Sequence, residues 1–259
     1  NRLRERLGQP MIIDPRPGAG GMVGAEVTVR SAPDGYTYYV NHIASHGIGP
    51  TLYRRLSFDP LKDLPGVARI AAMPNVLIIK GDSPIKSVAE LVAFCKANPA
   101  RANFSSAGSG TSSHLSGLLF GMRMGVEVTH VPYRGPGPAQ MDLMGGAIDF
   151  QFDTPSSVSP HIASGRLRGL LLTDRERYAG LPVIPTAAEE GFPDLVLKGW
   201  TAMYAPRGTP SSVLSKLRTV FREVMRTKAF QERLAKLDQV PGYLAGDELL
   251  AEQRKSREF

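Results

Sequence analysis

The segment NFSSAGSGTSSHLSGLLFGMRMGVEVTHVPY, residues 103–133, has a helix pattern between two strand patterns. Residues 103–107 and 126–133 are short and rich in apolar or β-branched side chains, which is typical of strands. Residues 111–124 carry apolar side chains at helical spacing. A strand, a helix and a strand joined by short loops predict one βαβ unit, so the segment indicates an α/β fold.

The same alternation continues along most of the chain and predicts parallel, doubly wound α/β sheets. Ser87 and Glu90 form a capping box, and Pro99 follows, so a helix is expected over 87–98. From about residue 211 the pattern becomes helical only. Further strands are predicted over 11–14, 37–43, 67–73, 75–80, 147–153, 167–174 and 195–206, and further helices up to Arg30 and around 139–144 and 158–163.

Composition excludes several classes of protein. The 259 residues are 42% hydrophobic and 21% charged, as in a globular protein with a full core. The net charge of +7 comes from scattered bases without interleaved aromatic residues, which argues against nucleic acid and leaves small anions or a basic surface. The single cysteine, Cys95, excludes an internal disulfide and a multi-cysteine metal site. No apolar stretch reaches membrane-helix length, and the N-terminal residues lack a signal-peptide pattern.

Ligands of open parallel sheets bind beyond the carboxyl ends of the strands. Five loops follow predicted strands there, and all are rich in Gly, Ser, Thr or a base: RPGAGG, HIASHG, AGSGTSSH, YRGPGP and DTPSS. AGSGTSSH, 107–114, puts two glycines and three hydroxyls at the start of a helix. Backbone amides freed in this way bind carboxylates or phosphates. The other interpretation of this segment is a plain Ser/Thr-capped helix.

Other chemistries have weaker patterns. An acyl-transfer or hydrolytic enzyme would use Ser109 or Ser112 with His114, but the chain has no Gly-x-Ser-x-Gly elbow. His42 and His46 are four residues apart and lack the glutamate of a zinc protease motif, so no metal site is expected. The residues leave three roles open for Asp153: a base, a ligand contact or a helix cap. We therefore expect no catalytic residues and no cofactor.

An ordered set of motifs resembles the Bug family, the substrate-binding proteins of tripartite tricarboxylate transporters. The motifs run from about residue 8 to about residue 240 in the family's order and near its spacing. They are RPGAGG, APDGYT, LYRRLSFDPLKDL, PNVLIIK, SVAELVAFCKANP, SSAGSGTSSH, HVPYRGPGPA, GGAIDFQFD, ASGRLRGLLLT, LPVIPTAAEEGFP and YAPRGTP.

The resemblance implies a type II periplasmic binding protein fold, in which two α/β domains with doubly wound sheets enclose a ligand cleft between them. One domain would comprise 1–80 and 203–259, and the other 81–202. It also implies capture of a small carboxylate (a di- or tricarboxylate, an acidic amino acid or an aromatic acid) by domain closure. Delivery to membrane permease subunits, a periplasmic location and a monomeric state complete this expectation. A ligand sensor of the same fold is the alternative.

The family's ligand loops carry over onto this sequence where the motifs match. His42 and Ile43 stand where the family has small Ser or Gly residues, which argues against simple amino-acid specificity. Arg134 replaces the usual lysine and could pair bidentately with a carboxylate. The remaining expected ligand-binding residues are Ser106, Ala107, Gly108, Ser109, Gly110, Thr111, Ser112, His114, Tyr133, Gly135, Asp153 and Thr154.

The resemblance further implies a missing N-terminal segment. Family members begin with a strand and a Pro-Gly-rich loop that clasps the ligand carboxylate, and only then continue into residues like NRLRERLGQP, 1–10. The absent strand would be central to its sheet. We therefore expect the natural protein to carry this segment and to exceed 28.0 kDa.

Overall fold

A computed structural model describes residues 2–16, 18–99, 101–235 and 240–258. The chain divides into two compact units. The first, here called the two-segment unit, comprises Asn1–Ala72 and Trp200–Phe259, and the second, the central unit, comprises Met73–Gly199. These boundaries lie between residues 72 and 73 and between 199 and 200, whereas the sequence placed them after 80 and after 202.

Strands and helices alternate strictly from Val76 to Leu172, and helices predominate after Tyr204. Short 3-10 and π-helical turns lie at Ala19–Gly21 and Ala44–Ile48. The helices are α1 Arg2–Leu7, α2 Met22–Val29, α3 Gly49–Leu52, α4 Pro60–Asp63, α5 Val88–Ala97, α6 Ser112–Met124, α7 Pro136–Gly145, α8 Pro155–Ala163, α9 Ser211–Arg226, α10 Lys228–Ala235 and α11 Asp247–Glu258. The strands are β1 Tyr39–His42, β2 Gly66–Pro74, β3 Val76–Lys80, β4 Asn103–Ser106, β5 Thr129–Pro132, β6 Phe150–Asp153, β7 Leu167–Leu172, β8 Lys198–Tyr204 and β9 Val240–Leu244.

The central unit is built on a five-stranded sheet of order β5-β4-β6-β3-β7. Strand β4 runs parallel to β5 and β6, while β3 runs antiparallel to β6 and β7. The expectation of an all-parallel sheet is therefore wrong: the sheet is mixed. An apolar run predicts a strand but not its direction, and β3 enters this sheet from the adjoining β2 rather than through a crossover helix.

Alternate residues of β3 supply both faces of this sheet. Leu77 and Ile79 pack into a cluster with Phe104 and Phe120, while Val76 and Ile78 pack into a second cluster on the other face. These four side chains of β3 are completely buried, as expected of a strand covered on both faces. Helices therefore cover the two faces, and the loops at the carboxyl ends of the parallel strands are left at the edge.

The two-segment unit has a four-stranded sheet of order β1-β8-β2-β9. Strand β1 is antiparallel to β8, and β2 is antiparallel to β9. Strand β9 lies where only helices were expected. The strand expected over 11–14 is wrong as well, because this stretch is irregular and Ile12 and Ile13 are 89% and 88% exposed.

Candidate ligand-binding site

The β4–α6 loop turns sharply at two glycines. Gly108 and Gly110 have φ angles of 134° and 79°, which residues other than glycine rarely adopt. The Gly108 amide donates to Ser106 Oγ at 3.1 Å, and the Gly110 amide donates to His114 Nδ1 at 3.2 Å. Both glycine amides are thus hydrogen-bonded to nearby side chains. Ser109, which lies between them, is exposed.

Helix α6 begins directly after this loop. Thr111 is its N-cap, and Thr111 Oγ1 accepts from the His114 amide at 3.4 Å and donates to the Gly108 carbonyl at 2.6 Å. The first amides of a helix have no acceptor within that helix. The amides of Ser112 and Ser113, which are both buried residues, donate to no acceptor among the described residues. These donors, at the positive end of a 13-residue helix, can bind an anion.

The β5–α7 loop is held against the β4–α6 loop by its backbone. The Tyr133 amide donates to the Ser106 carbonyl at 3.1 Å, and the Gly135 amide donates to the Ala107 carbonyl at 3.1 Å. Tyr133 Oη donates to Asp142 at 2.5 Å, and this hydrogen bond raises the pKa of Tyr133 to about 12. The neighbouring Arg134 side chain is exposed. The two loops therefore form one surface, with a guanidinium beside it.

Asp153 ends β6 and is only 4% exposed. Its carboxylate accepts hydrogen bonds from the Thr154 amide at 2.7 Å, Gln140 Nε2 at 3.0 Å and Gln151 Nε2 at 2.9 Å. Burial raises the pKa of Asp153 to about 6, although these hydrogen bonds work in the opposite direction. The sequence left a base, a ligand contact and a helix cap open for Asp153. The N-cap of α8 is the half-buried Thr154 instead, and the Asp153 carboxylate anchors the start of this helix through the Thr154 amide.

His42 and Ile43 lie in the two-segment unit, whereas the loops described above lie in the central unit. His42 ends β1 as an exposed residue, and Ile43 is buried and precedes the π-helical turn. Burial nonetheless lowers the pKa of the His42 imidazole, so surrounding protein covers part of this ring. The Ile43 side chain contributes instead to the core.

Two residues of the central unit that the sequence did not single out support the loop. Asn75 donates to Ser116 Oγ at 2.9 Å and accepts from Ser112 Oγ at 3.4 Å, which ties the chain before β3 to α6. His130 of β5 lies with Nε2 2.7 Å from Ser106 Oγ. No local pattern could have found either of them, because their partners are distant in sequence.

Among the described residues, no hydrogen bond joins His114 to Ser109 or Ser112, the pairs that the enzyme alternative would use. His114 Nδ1 takes the Gly110 amide, and Ser112 Oγ donates to Asn75. Among the described residues, no group of three or more His, Cys, Asp or Glu side chains could hold a metal ion. In that same part of the chain, every helix is too short or too polar to cross a membrane.

The two α/β units and the glycine-rich loop at a helix start are typical of a solute-binding protein. The family model described as "tripartite tricarboxylate transporter family receptor", TctC, matches residues 1–251. The chain belongs to this family, to which the Bug proteins also belong, and the resemblance inferred from its motifs is confirmed. Members of the family are transport receptors rather than enzymes.

Relatives of known sequence and structure agree with this assignment. The protein BugT of Bordetella pertussis is 34% identical over 255 residues, which are 95% of this chain and 78% of BugT. MatC from Rhodopseudomonas palustris, solved with bound malate, is 30% identical with a TM-score of 0.92 and covers 99% of this chain and 88% of its own. R. palustris Rpa4515, solved with adipate, is 30% identical with a TM-score of 0.95, over 99% and 86%. The expected periplasmic binding protein fold is confirmed.

Proposed function

We propose that this protein captures a small dicarboxylate at the β4–α6 loop and delivers it to the membrane permease of a tripartite tricarboxylate transporter. The observation that carries the proposal is the pair of amides at Ser112 and Ser113, which have no acceptor among the described residues. Gly108 and Gly110 turn their own amides into the loop, so they do not compete for a ligand. A carboxylate at this position would complete the first turn of α6.

The ligand class is supported by two of the similar structures, MatC with bound malate and Rpa4515 with adipate. Both compounds are small, flexible dicarboxylates. One carboxylate at α6 would leave the second for another donor. The exposed guanidinium of Arg134 is suited to that role, because its planar N–H groups match a carboxylate bidentately.

The remaining predicted site residues divide by accessibility. We propose that Ser109, Thr111, Tyr133, Gly135, Thr154 and His42 offer contacts to the ligand, because their side chains or backbone are not buried. The half-buried Ala107 belongs with this group, whereas the buried Ser106, His114, Asp153 and Ile43 would support ligand contacts, each within its own unit. Closure of the two units on the ligand, a monomeric state and hand-over to permease subunits stay parts of this proposal.

Replacing Ser112 by proline tests the proposal, because it removes a single backbone donor. Proline is well tolerated at the first position of a helix, and the preceding Thr111 has the extended backbone that proline requires. Ser112→Pro deletes the amide hydrogen together with the hydroxyl, whereas the matched control Ser112→Ala deletes only the hydroxyl. Because a hydrogen bond to a charged group contributes about 1.5–3 kcal/mol, Ser112→Pro should bind about 10–100-fold more weakly than Ser112→Ala.

The measurement is isothermal titration calorimetry with malate, adipate, succinate and citrate, with succinamide as the uncharged control. Both variants are first checked for cooperative thermal unfolding. Equal affinity of Ser112→Pro and Ser112→Ala would show that this amide does not contact the ligand. A cooperatively folded wild-type protein that binds none of these carboxylates would refute the proposed function.

A further inference from the structure

Two imidazole rings lie together beneath the β4–α6 loop. His114, on α6, and His130, on β5, have ring centroids 4.0 Å apart and planes inclined by 31°. His114 is buried and His130 is half-buried, and the His130 ring also stacks on Phe104 at 4.9 Å. The two rings therefore form a small packed cluster that three neighbouring elements hold in place.

Each imidazole is hydrogen-bonded to the loop above it. His114 Nδ1 accepts from the Gly110 amide, so Nδ1 carries no proton and the neutral ring is protonated at Nε2. Ser106 Oγ accepts from the Gly108 amide, which leaves the hydroxyl proton free to be donated to His130 Nε2. The pair thus holds both loop glycines, His114 directly and His130 through Ser106.

Both rings are uncharged at neutral pH. Burial lowers the pKa of His114, and burial together with the nearby His114 lowers the pKa of His130 to about 4. A neutral ring can accept the Ser106 hydroxyl proton, whereas a cationic ring cannot. The hydrogen-bond geometry and the charge state therefore both indicate that the Ser106 hydroxyl donates to a neutral His130 ring.

We infer that His130 is a positioning residue for the ligand site: through Ser106 it fixes the Gly108 amide inside the loop and so keeps the first amides of α6 open for the ligand. This inference rests on the proposed function. It assigns His130 no contact with the ligand, because its Nε2 is already engaged by Ser106.

The test compares two replacements of His130. His130→Phe keeps a ring that can stack on Phe104 but removes the acceptor, whereas His130→Gln keeps an acceptor for the Ser106 hydroxyl. With malate or adipate as the probe, His130→Phe should weaken binding about tenfold, the equivalent of one hydrogen bond. His130→Gln should stay within about threefold of wild type. Equal losses in the two variants, with both folded, would show that the ring acts only by packing and would overturn the inference.

A double-mutant cycle with Ser106 separates positioning from independent effects. Ser106→Ala should weaken binding about as much as His130→Phe, and the double variant should be no weaker than either, because all three break one chain of hydrogen bonds. If the two losses of binding affinity were additive, His130 and Ser106 would act independently, and the inference would be contradicted.

The ligand-free protein gives a readout that does not depend on the proposed function. The amide ¹H–¹⁵N signal of Gly108 should shift in His130→Phe and return towards its wild-type position in His130→Gln. An unchanged Gly108 signal in His130→Phe overturns the inference even if wild-type protein binds no carboxylate. Failure of wild-type binding alone, with the Gly108 signal shifted as expected, would count only against the proposed function.

Discussion

Replacement of the buried Asp153 by asparagine should change how stability depends on pH. Burial raises the pKa of Asp153 from 3.8 to about 6 in the folded protein. Between these two values the folded state binds a proton that the unfolded state releases, so the contribution of Asp153 to stability falls as pH rises. The contribution is fully present below pH 3.8 and is lost as pH rises through about 6. The asparagine side chain of the variant is uncharged at every pH and has no such dependence.

The size of the effect follows from the pKa shift. A shift of about 2 pKa units corresponds to about 3 kcal/mol, of which about 2 kcal/mol is lost between pH 4 and pH 7. His130 acts in the opposite direction, because its lowered pKa contributes stability above pH 6.5 that is lost as pH falls towards 4. The lowered pKa values of His42 and His114 act in the same direction as that of His130, and the raised pKa of Asp149 acts in the same direction as that of Asp153. The wild-type profile therefore combines several opposed slopes, and the difference between variant and wild type isolates Asp153.

The assay is urea denaturation of wild type and Asp153→Asn at pH 4, 5, 6 and 7. The free energy of unfolding of the variant, relative to wild type, should rise by about 2 kcal/mol from pH 4 to pH 7. Asp194→Asn is the matched control for the chemical change, because Asp194 lies in the same unit with an exposed carboxylate. Parallel pH profiles for Asp153→Asn and wild type would refute the reasoning.

Three further predictions concern stability and reactivity. Thr111→Ala should lower the free energy of unfolding by about 1 kcal/mol in urea denaturation, because it removes the cap on the His114 amide; an unchanged midpoint would contradict the role of the cap. Gly117→Ala should cost about 1–3 kcal/mol, since the new Cβ would meet the Phe104 ring at 2.0 Å, and an unchanged melting temperature would contradict this close contact. Burial raises the pKa of Cys95 to about 11, so a thiol reagent at pH 8 should react only after denaturation; rapid labelling of the native protein would contradict this.

Local sequence predicted the elements of the central unit better than those of the two-segment unit. The capping serine of α5 is confirmed, with Ser87 Oγ accepting from the Glu90 amide at 3.2 Å. Residues 240–244 contain Pro241 and Gly242, which disfavour a strand, yet they pair with β2, and Arg69 Nε donates to the Gly242 carbonyl at 2.7 Å. Partners from far along the chain outweigh local propensity there.

In the candidate site too, features set by neighbouring residues could be predicted, and features set by distant residues could not. The β4–α6 loop could be predicted, because glycine conformations and a helix cap depend on neighbours in sequence. His130 and Asn75 could not be predicted, since their partners Ser106 and Ser116 lie 24 and 41 residues away. The structural role of Asp153 was open for the same reason: its amide donors include Gln140 from another element, and sequence alone does not show which acids are surrounded by donors.

The continuity of the central unit has a consequence for how the chain folds during synthesis. Residues 73–199 contain every described strand of the five-stranded sheet, so a nascent chain can complete that sheet before residues 200–259 are translated. Strand β1, by contrast, pairs with a strand far along the chain. It is translated before the central unit, yet among the described residues its one neighbour in the sheet is β8, with Tyr39 opposite Tyr204. The two-segment unit must therefore keep its first segment available, with an unpaired strand edge, until β8 has been translated.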